Sequence, residues 1–189
     1  KHFVGYGAAQ AGRDYHTVNM SIDELRNVYM PPFKAAVDEG VETFMTAFNE
    51  INGIPATANK FIFQDILRNE WGFDGFVVTD YTAINELVAH GFAYDEKHAA
   101  QLSIQAGIDQ DMMSGAYRLY LDDLVNEGKI DKKLIDDACK RILTAKFKLG
   151  LFDDPYRYCD IDREKETINK AEFLEAARIS AAKSSVLLK

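Results

Sequence analysis

The chain has 189 residues, 47% hydrophobic and 28% charged, with a formal net charge of −8. That profile suits an ordinary globular protein with room for one substantial core. A chain this acidic lacks the basic face that nucleic acid or an anionic membrane demands, and no run approaches the roughly twenty apolar residues of a membrane span. Cys139 and Cys159 fit no disulfide framework or zinc pattern. The four histidines, His2, His16, His90 and His98, show no metal-ligand spacing such as HExxH.

Taken in order, the elements alternate. Ser21 with Glu24 three residues on forms a capping box that opens a helix. Pro31 and Pro32 interrupt it, and Pro32 suits the first turn of a continuation up to Gly40. Residues 43–48 are expected as a strand. Asn59 caps a helix to residue 70, with Phe63, Ile66 and Leu67 on its apolar face. A strand is expected over 76–79. Helices over 82–89 and 95–105 stop near Gly91 and at Gly107, and a third strand is expected over 108–112. Helices over 117–126 and 132–148 follow, the second ended by Gly150. Cys139 falls inside that last helix and is expected as a small buried residue. Cys159 falls in a loop, and a disulfide between the two is not indicated. Val186, Leu187 and Leu188 read as the start of a further apolar strand.

Strands alternating with helices imply right-handed βαβ units and a parallel sheet. Three strands are too few for a closed eight-stranded barrel.

The most informative stretch runs from Ile66 to Ala83, ILRNEWGFDGFVVTDYTA. It combines the end of a helix, a turn punctuated by Gly72 and Gly75, a short apolar run suited to a strand buried on both faces, and an acid. An aspartate at the carboxyl end of a parallel barrel strand is where such barrels place catalytic groups. The same residue, Asp80, also suits the cap of the helix that follows.

This stretch closely resembles the active-site signature of family 3 glycoside hydrolases, the β-glucosidase and β-xylosidase family. Ile66, Leu67, Arg68, Glu70, Gly75, the run Phe76, Val77, Val78, then Thr79 and Asp80 each have a counterpart in it. The resemblance extends along the whole chain, through KHF, FMTAFNEINGIPATAN, AGIDQDM, KRILTAKFKLGLFDDPY and AARISAAKSSVLLK. It implies an α/β fold: the C-terminal part of a (β/α)8 TIM-type barrel over residues 1–150. Residues 151–189 would be the linker and first helix and strand of a following α/β sandwich domain.

Lys1 already stands at the end of a strand, no Met precedes it, and the last apolar run stops at Lys189. The chain therefore reads as an excerpt, with the remainder of a parent chain as its first partner and no activity expected of it alone. Localisation is not legible from such an excerpt; the resemblance, closest to the bacterial periplasmic type, suggests a periplasmic or secreted protein.

The activity implied is that of a retaining exo-β-glycosidase acting on an oligosaccharide or β-glycoside, without cofactor or metal. Asp80 corresponds to the nucleophile. Lys1 and His2 correspond to residues that hold hydroxyls of the nonreducing terminal sugar. Met45 and Phe48 line up with strand-end residues bordering the sugar; Phe48 stands where the family often has Tyr and lacks the hydroxyl. Tyr81 matches an aromatic position that can wall the pocket, and Ser114 follows the last strand within reach of the sugar.

The acid/base of two-domain members lies on the second domain. A separate branch, the β-N-acetylglucosaminidases, uses an Asp-His pair on the loop after KHF, where this chain has Asp14 and His16. Val4 and Tyr6 replace the Pro and second His of that branch. The contrasting reading is a catalytically silent structural or carbohydrate-binding piece.

Overall fold

The computed structural model describes residues 1–188. The chain divides into two units, Lys1–Lys146 and from Phe147 onward.

Two strands form the centre of the first unit. β1 (Thr43–Met45) and β4 (Phe76–Val78) pair in parallel, Thr43 opposite Phe76, Phe44 opposite Val77 and Met45 opposite Val78. The next segments join by single bridges, Phe3 to Thr46 outside β1 and Gln110 to Val78 outside β4. Four segments thus lie side by side in chain order, all parallel. Both strands are shorter than the sequence pattern suggested, and residues 108–112 form no strand. The reason is local. Asp109 places its own carboxylate on the Val77 N–H at 2.7 Å, the donor a neighbouring strand would otherwise engage. The Asp109 and Gln110 N–H groups then share one carbonyl, that of Val77.

Between β1 and β4 runs a hairpin the sequence reading missed. β2 (Glu50–Ile51) and β3 (Ile54–Pro55) are antiparallel, joined by Asn52 and Gly53, both at positive φ. Asn-Gly at a two-residue turn is the strongest short hairpin signal. Val18 bridges Ile51 and adds the preceding loop to this hairpin.

The helices follow the expected faces with small shifts of boundary. α1 (Ile22–Glu24) starts where the Ser21 hydroxyl accepts from the Glu24 N–H and continues as a π-helical turn, Leu25–Tyr29. α2 (Pro31–Asp38) carries Pro in its first turn, one residue earlier than expected. The segment Phe61–Glu70 is a π-helix rather than an α-helix, and the Asn59 side chain accepts from Ile62 at its start. Then come α3 (Ala83–Ala89), α4 (Glu96–Ala106), α5 (Ala116–Asn126) and α6 (Lys132–Lys148).

One buried cluster packs Phe3, Phe44 and Val77 of the sheet against Phe63, Ile66 and Leu67 of the π-helix. A second packs Ile84 and Leu87 of α3 against Ala100 and Ile104 of α4 and Leu124 of α5. Gly75 lets the chain enter β4 at close quarters, since a Cβ there would meet the Glu42 carbonyl at 2.2 Å. Cys139 is exposed, not buried, and neither cysteine is bonded. The buried residues of α6 are Ala138 and Ala145, so Cys139 falls just off the apolar stripe.

The second unit contains α7 (Ile161–Thr167), capped by the Asp160 carboxylate, and α8 (Ala171–Ser184). Val186, Leu187 and Leu188 are exposed and form no strand, because no partner strand lies beside them among the described residues; Lys189 lies outside those residues. Among the described residues no helix is long and apolar enough to cross a membrane.

Candidate active site

The carboxyl end of β4 delivers Asp80 through Thr79, which is fully buried. The Thr79 N–H donates to the Gln110 carbonyl at 2.9 Å, and its hydroxyl accepts from the Met112 N–H at 2.8 Å. On the opposite side the Asp80 N–H donates to the Thr46 hydroxyl at 3.2 Å, which sits 3.0 Å from the Thr57 hydroxyl. Neighbouring segments on both sides therefore hold the backbone of Asp80, which makes it a stiff mount for a reacting group.

The Asp80 side chain is 15% exposed. One oxygen accepts from the Tyr81 N–H at 2.6 Å; the other lies 3.3 Å from the His2 Nε2. Asp80 does not cap the following helix. Thr82, in the left-handed region at φ 58°, occupies that place, and its N–H donates to the Met112 carbonyl.

His2 projects from the segment bridged to β1 and meets the Tyr6 ring edge-on, 5.3 Å between centroids. Burial holds the imidazole below its usual basicity; Asp80 pulls upward against that, while the adjacent Lys1 pushes down. Lys1 is exposed beside it. Met45, at the end of β1, is the register partner of Val78 and half-buried. Tyr81 is 57% exposed. Ser114 is half-buried on the turn after the 108–112 segment; its N–H donates to Asp111, and its buried hydroxyl has no hydrogen-bond partner among the described residues. His2 and Asp80 are in direct contact, and Met45 and Tyr81 flank them through strand register and sequence. Ser114 reaches the neighbourhood through Asn85 of α3, whose amide donates to its carbonyl.

Asp14 and His16 are not brought together. The Asp14 carboxylate accepts from the Tyr6 hydroxyl and the Tyr15 N–H, whereas His16 is exposed. The residues that join Asp14 around the site instead are ones the sequence did not mark. Tyr15 packs on Phe48 with centroids 4.5 Å apart. Glu50 accepts from the Thr17 hydroxyl at 2.9 Å and pairs with His90 Nδ1 at 2.9 Å. Glu86 of α3 is held above the usual carboxylate range by burial, opposed by the Thr82 hydroxyl and His90 and reinforced by Asp80 and Asp14. Only spacing could have flagged the last pair, since Glu86 of α3 and His90 at its C-terminal cap stand one turn apart.

Residues 1–145 match the family model described as "Glycosyl hydrolase family 3 N terminal domain". The chain belongs to glycosyl hydrolase family 3. It is 42% identical over 192 residues to the periplasmic beta-glucosidase of Salmonella typhimurium, covering all of this chain and 25% of that protein. It is 40% identical over 198 residues to a beta-xylosidase of Formosa agariphila, covering 100% of this chain and 27% of the relative. The crystal structure of the beta-glucosidase from Listeria innocua superposes with a TM-score of 0.91 at 45% identity, over 100% of this chain and 26% of that one. The same protein in complex with glucose matches 90% of this chain and 23% of its own, with a TM-score of 0.86 at 47% identity. The chain thus spans about a quarter of the length of these family 3 relatives.

Proposed function

We propose that this chain is the C-terminal part of the (β/α)8 barrel of a retaining exo-β-glycosidase, a β-glucosidase, with the linker and first elements of a second α/β domain beyond residue 150. The observation that carries the proposal is Asp80. It ends a parallel strand inside the family 3 signature, its backbone is held from both sides, and one oxygen remains free of any hydrogen bond except for the approach of His2.

In a retaining mechanism the Asp80 Oδ attacks the anomeric carbon of the terminal sugar. The glycosidic C–O bond breaks as the leaving oxygen takes a proton from the acid, and a glycosyl-aspartate ester forms. Water, deprotonated by the same acid now acting as base, then displaces Asp80 and frees the sugar. His2 and Lys1 supply donors for sugar hydroxyls, and Lys1 adds positive potential beside the nucleophile. Met45, Tyr81 and Ser114 border the sugar. The acid/base comes from the part of the parent protein outside this chain, and the location is the periplasm or the cell exterior. The isolated chain is expected not to turn over.

The test uses a full-length protein carrying this segment. A 2-deoxy-2-fluoro glucoside slows the second step and traps the ester. Peptide mapping is expected to find the label on Asp80. A label on any other carboxylate overturns the assignment.

A further inference from the structure

The loop over residues 13–17 carries an aromatic ring towards the nucleophile and is tied down by groups the family chemistry does not use. The rings of His2, Tyr6, Phe48 and Tyr15 form a continuous series, with centroids 5.3, 6.2 and 4.5 Å apart. The series starts at the histidine that touches Asp80 and ends at Tyr15, which is 43% exposed. The Tyr15 hydroxyl is held above its ordinary range by burial, then by Glu86, Asp14 and Asp80, so it lies within electrostatic reach of the nucleophile. Beside its backbone bonds, two side-chain ties hold the loop. The Tyr6 hydroxyl donates to Asp14, and Thr17 donates to Glu50, whose other oxygen pairs with His90, the residue that caps the end of α3. Both Glu50 and His90 are largely buried, with side chains 19% and 14% exposed. The same α3 begins three residues after Asp80. A single carboxylate thus couples the Tyr15 loop to the helix that the nucleophile's strand leads into.

We propose that Tyr15, backed by Phe48, is the face on which the leaving group of a β-glycoside packs, and that Glu50, clasped between Thr17 and His90, is the positioning residue that holds it there. The leaving group is a second sugar or an aryl ring, each presenting a flat apolar face to an aromatic ring. The inference rests on the assignment of Asp80 as nucleophile.

The experiment compares two substrates in a full-length protein carrying this segment: a β-linked glucose disaccharide, whose leaving sugar spans the Tyr15 face, and β-glucosyl fluoride, whose leaving group is too small to touch it. Tyr15→Ala is expected to lower kcat/KM on the disaccharide roughly three- to tenfold more than on the fluoride, chiefly through KM. Glu50→Ala is expected to produce the same selective loss, Thr17→Val a smaller one in the same direction, and Glu50→Gln, whose amide keeps one acceptor for one partner and offers an N–H that the Thr17 hydroxyl or a neutral His90 ring nitrogen can accept, to restore most of it. Thr17→Val and Glu50→Gln keep the side-chain shape if Glu50→Ala fails to fold. A merely structural role would depress both substrates alike, and equal losses overturn the proposal. Selective loss in Tyr15→Ala but none in the Glu50 and Thr17 variants overturns the clasp. Fluoro-sugar labelling of the unaltered protein at a residue other than Asp80 sinks the underlying assignment separately.

Discussion

Two carboxylates flank the strand β4, and their surroundings differ in every respect that matters. Asp80, beyond its carboxyl end, has one backbone donor and a histidine at 3.3 Å. Asp109, beside its middle, has a side chain only 2% exposed. It accepts from the Val77 N–H at 2.7 Å, from Arg68 at 2.5 Å and from Arg141 at 2.8 Å. Arg68 also donates to the carbonyls of Gly75 and Gly107, so one guanidinium gathers the turns that precede β4 and the 108–112 segment. Burial pushes Asp109 up and Arg68 down, and each is pulled back by the other. A carboxylate that must form a bond keeps a lone pair unspent. A carboxylate that holds strands together has donors on both oxygens, three in all. Arg68 and Asp80 belong to one signature, yet their partners belong to opposite ends of the same strand.

The sharpest way to break this comparison is to neutralise each acid. Asp80→Asn in a full-length protein is expected to lower turnover of an aryl β-glucoside by about 10⁴-fold or more, while the thermal midpoint stays close to the parent's. A large drop in midpoint would mean that Asp80 is structural too. Asp109→Ala is expected to do the converse. Removing one partner of a buried charge cluster costs about 3–5 kcal/mol, which at roughly 2–4 °C per kcal/mol for a domain of this size lowers the midpoint by about 10 °C. Whatever protein stays folded should still be labelled at Asp80. If Asp109→Ala melts with the parent, the network is a bystander.

The sequence showed one of these carboxylates and hid the other. Asp80 was legible because the residues that mount it are its neighbours in sequence: the strand Phe76–Val78, Thr79 and the turn at Gly75 all lie within a few positions. Asp109 was not, since its partners Arg68 and Arg141 are 41 and 32 residues away, and an aspartate directly after Ile108 reads simply as part of the expected strand. That one side chain also explains the missing third strand. The π-helix Phe61–Glu70 was misjudged for a different reason: its apolar face is the same whether N–H groups reach back four residues or five. The hairpin at Asn52 and Gly53 was legible and overlooked. The Tyr15, Glu50 and His90 cluster was not, because its contacts span 33 and 40 residues.

A third substitution separates the loop's two titratable residues. His16 is exposed, whereas Asp14 is engaged by Tyr6. His16→Ala is expected to change turnover by well under tenfold, because a true proton donor contributes roughly 10²–10⁴-fold. A hundredfold loss that a good leaving group restores would favour the Asp14–His16 dyad and a hexosaminidase.

The smallest effect concerns Glu86, which stands between the two extremes, partly buried but not saturated. Burial raises its pKa above the ordinary 4.5, Thr82 and His90 oppose the rise, and Asp80 and Asp14 add to it. The folded protein therefore binds a proton at this site over a window in which the unfolded chain has already lost it. Stability from this group is fully present below 4.5 and is lost as the pH rises through the folded value. Glu86→Gln removes the titration. The variant's thermal midpoint, relative to the parent, is expected to be higher at pH 7 than at pH 4. A relative midpoint that falls between pH 4 and pH 7 would show that His90 and Thr82 outweigh burial. Glu86 would then be a paired carboxylate of the Asp109 kind, and the field it adds beside Asp80 would be that of a fixed charge at every working pH.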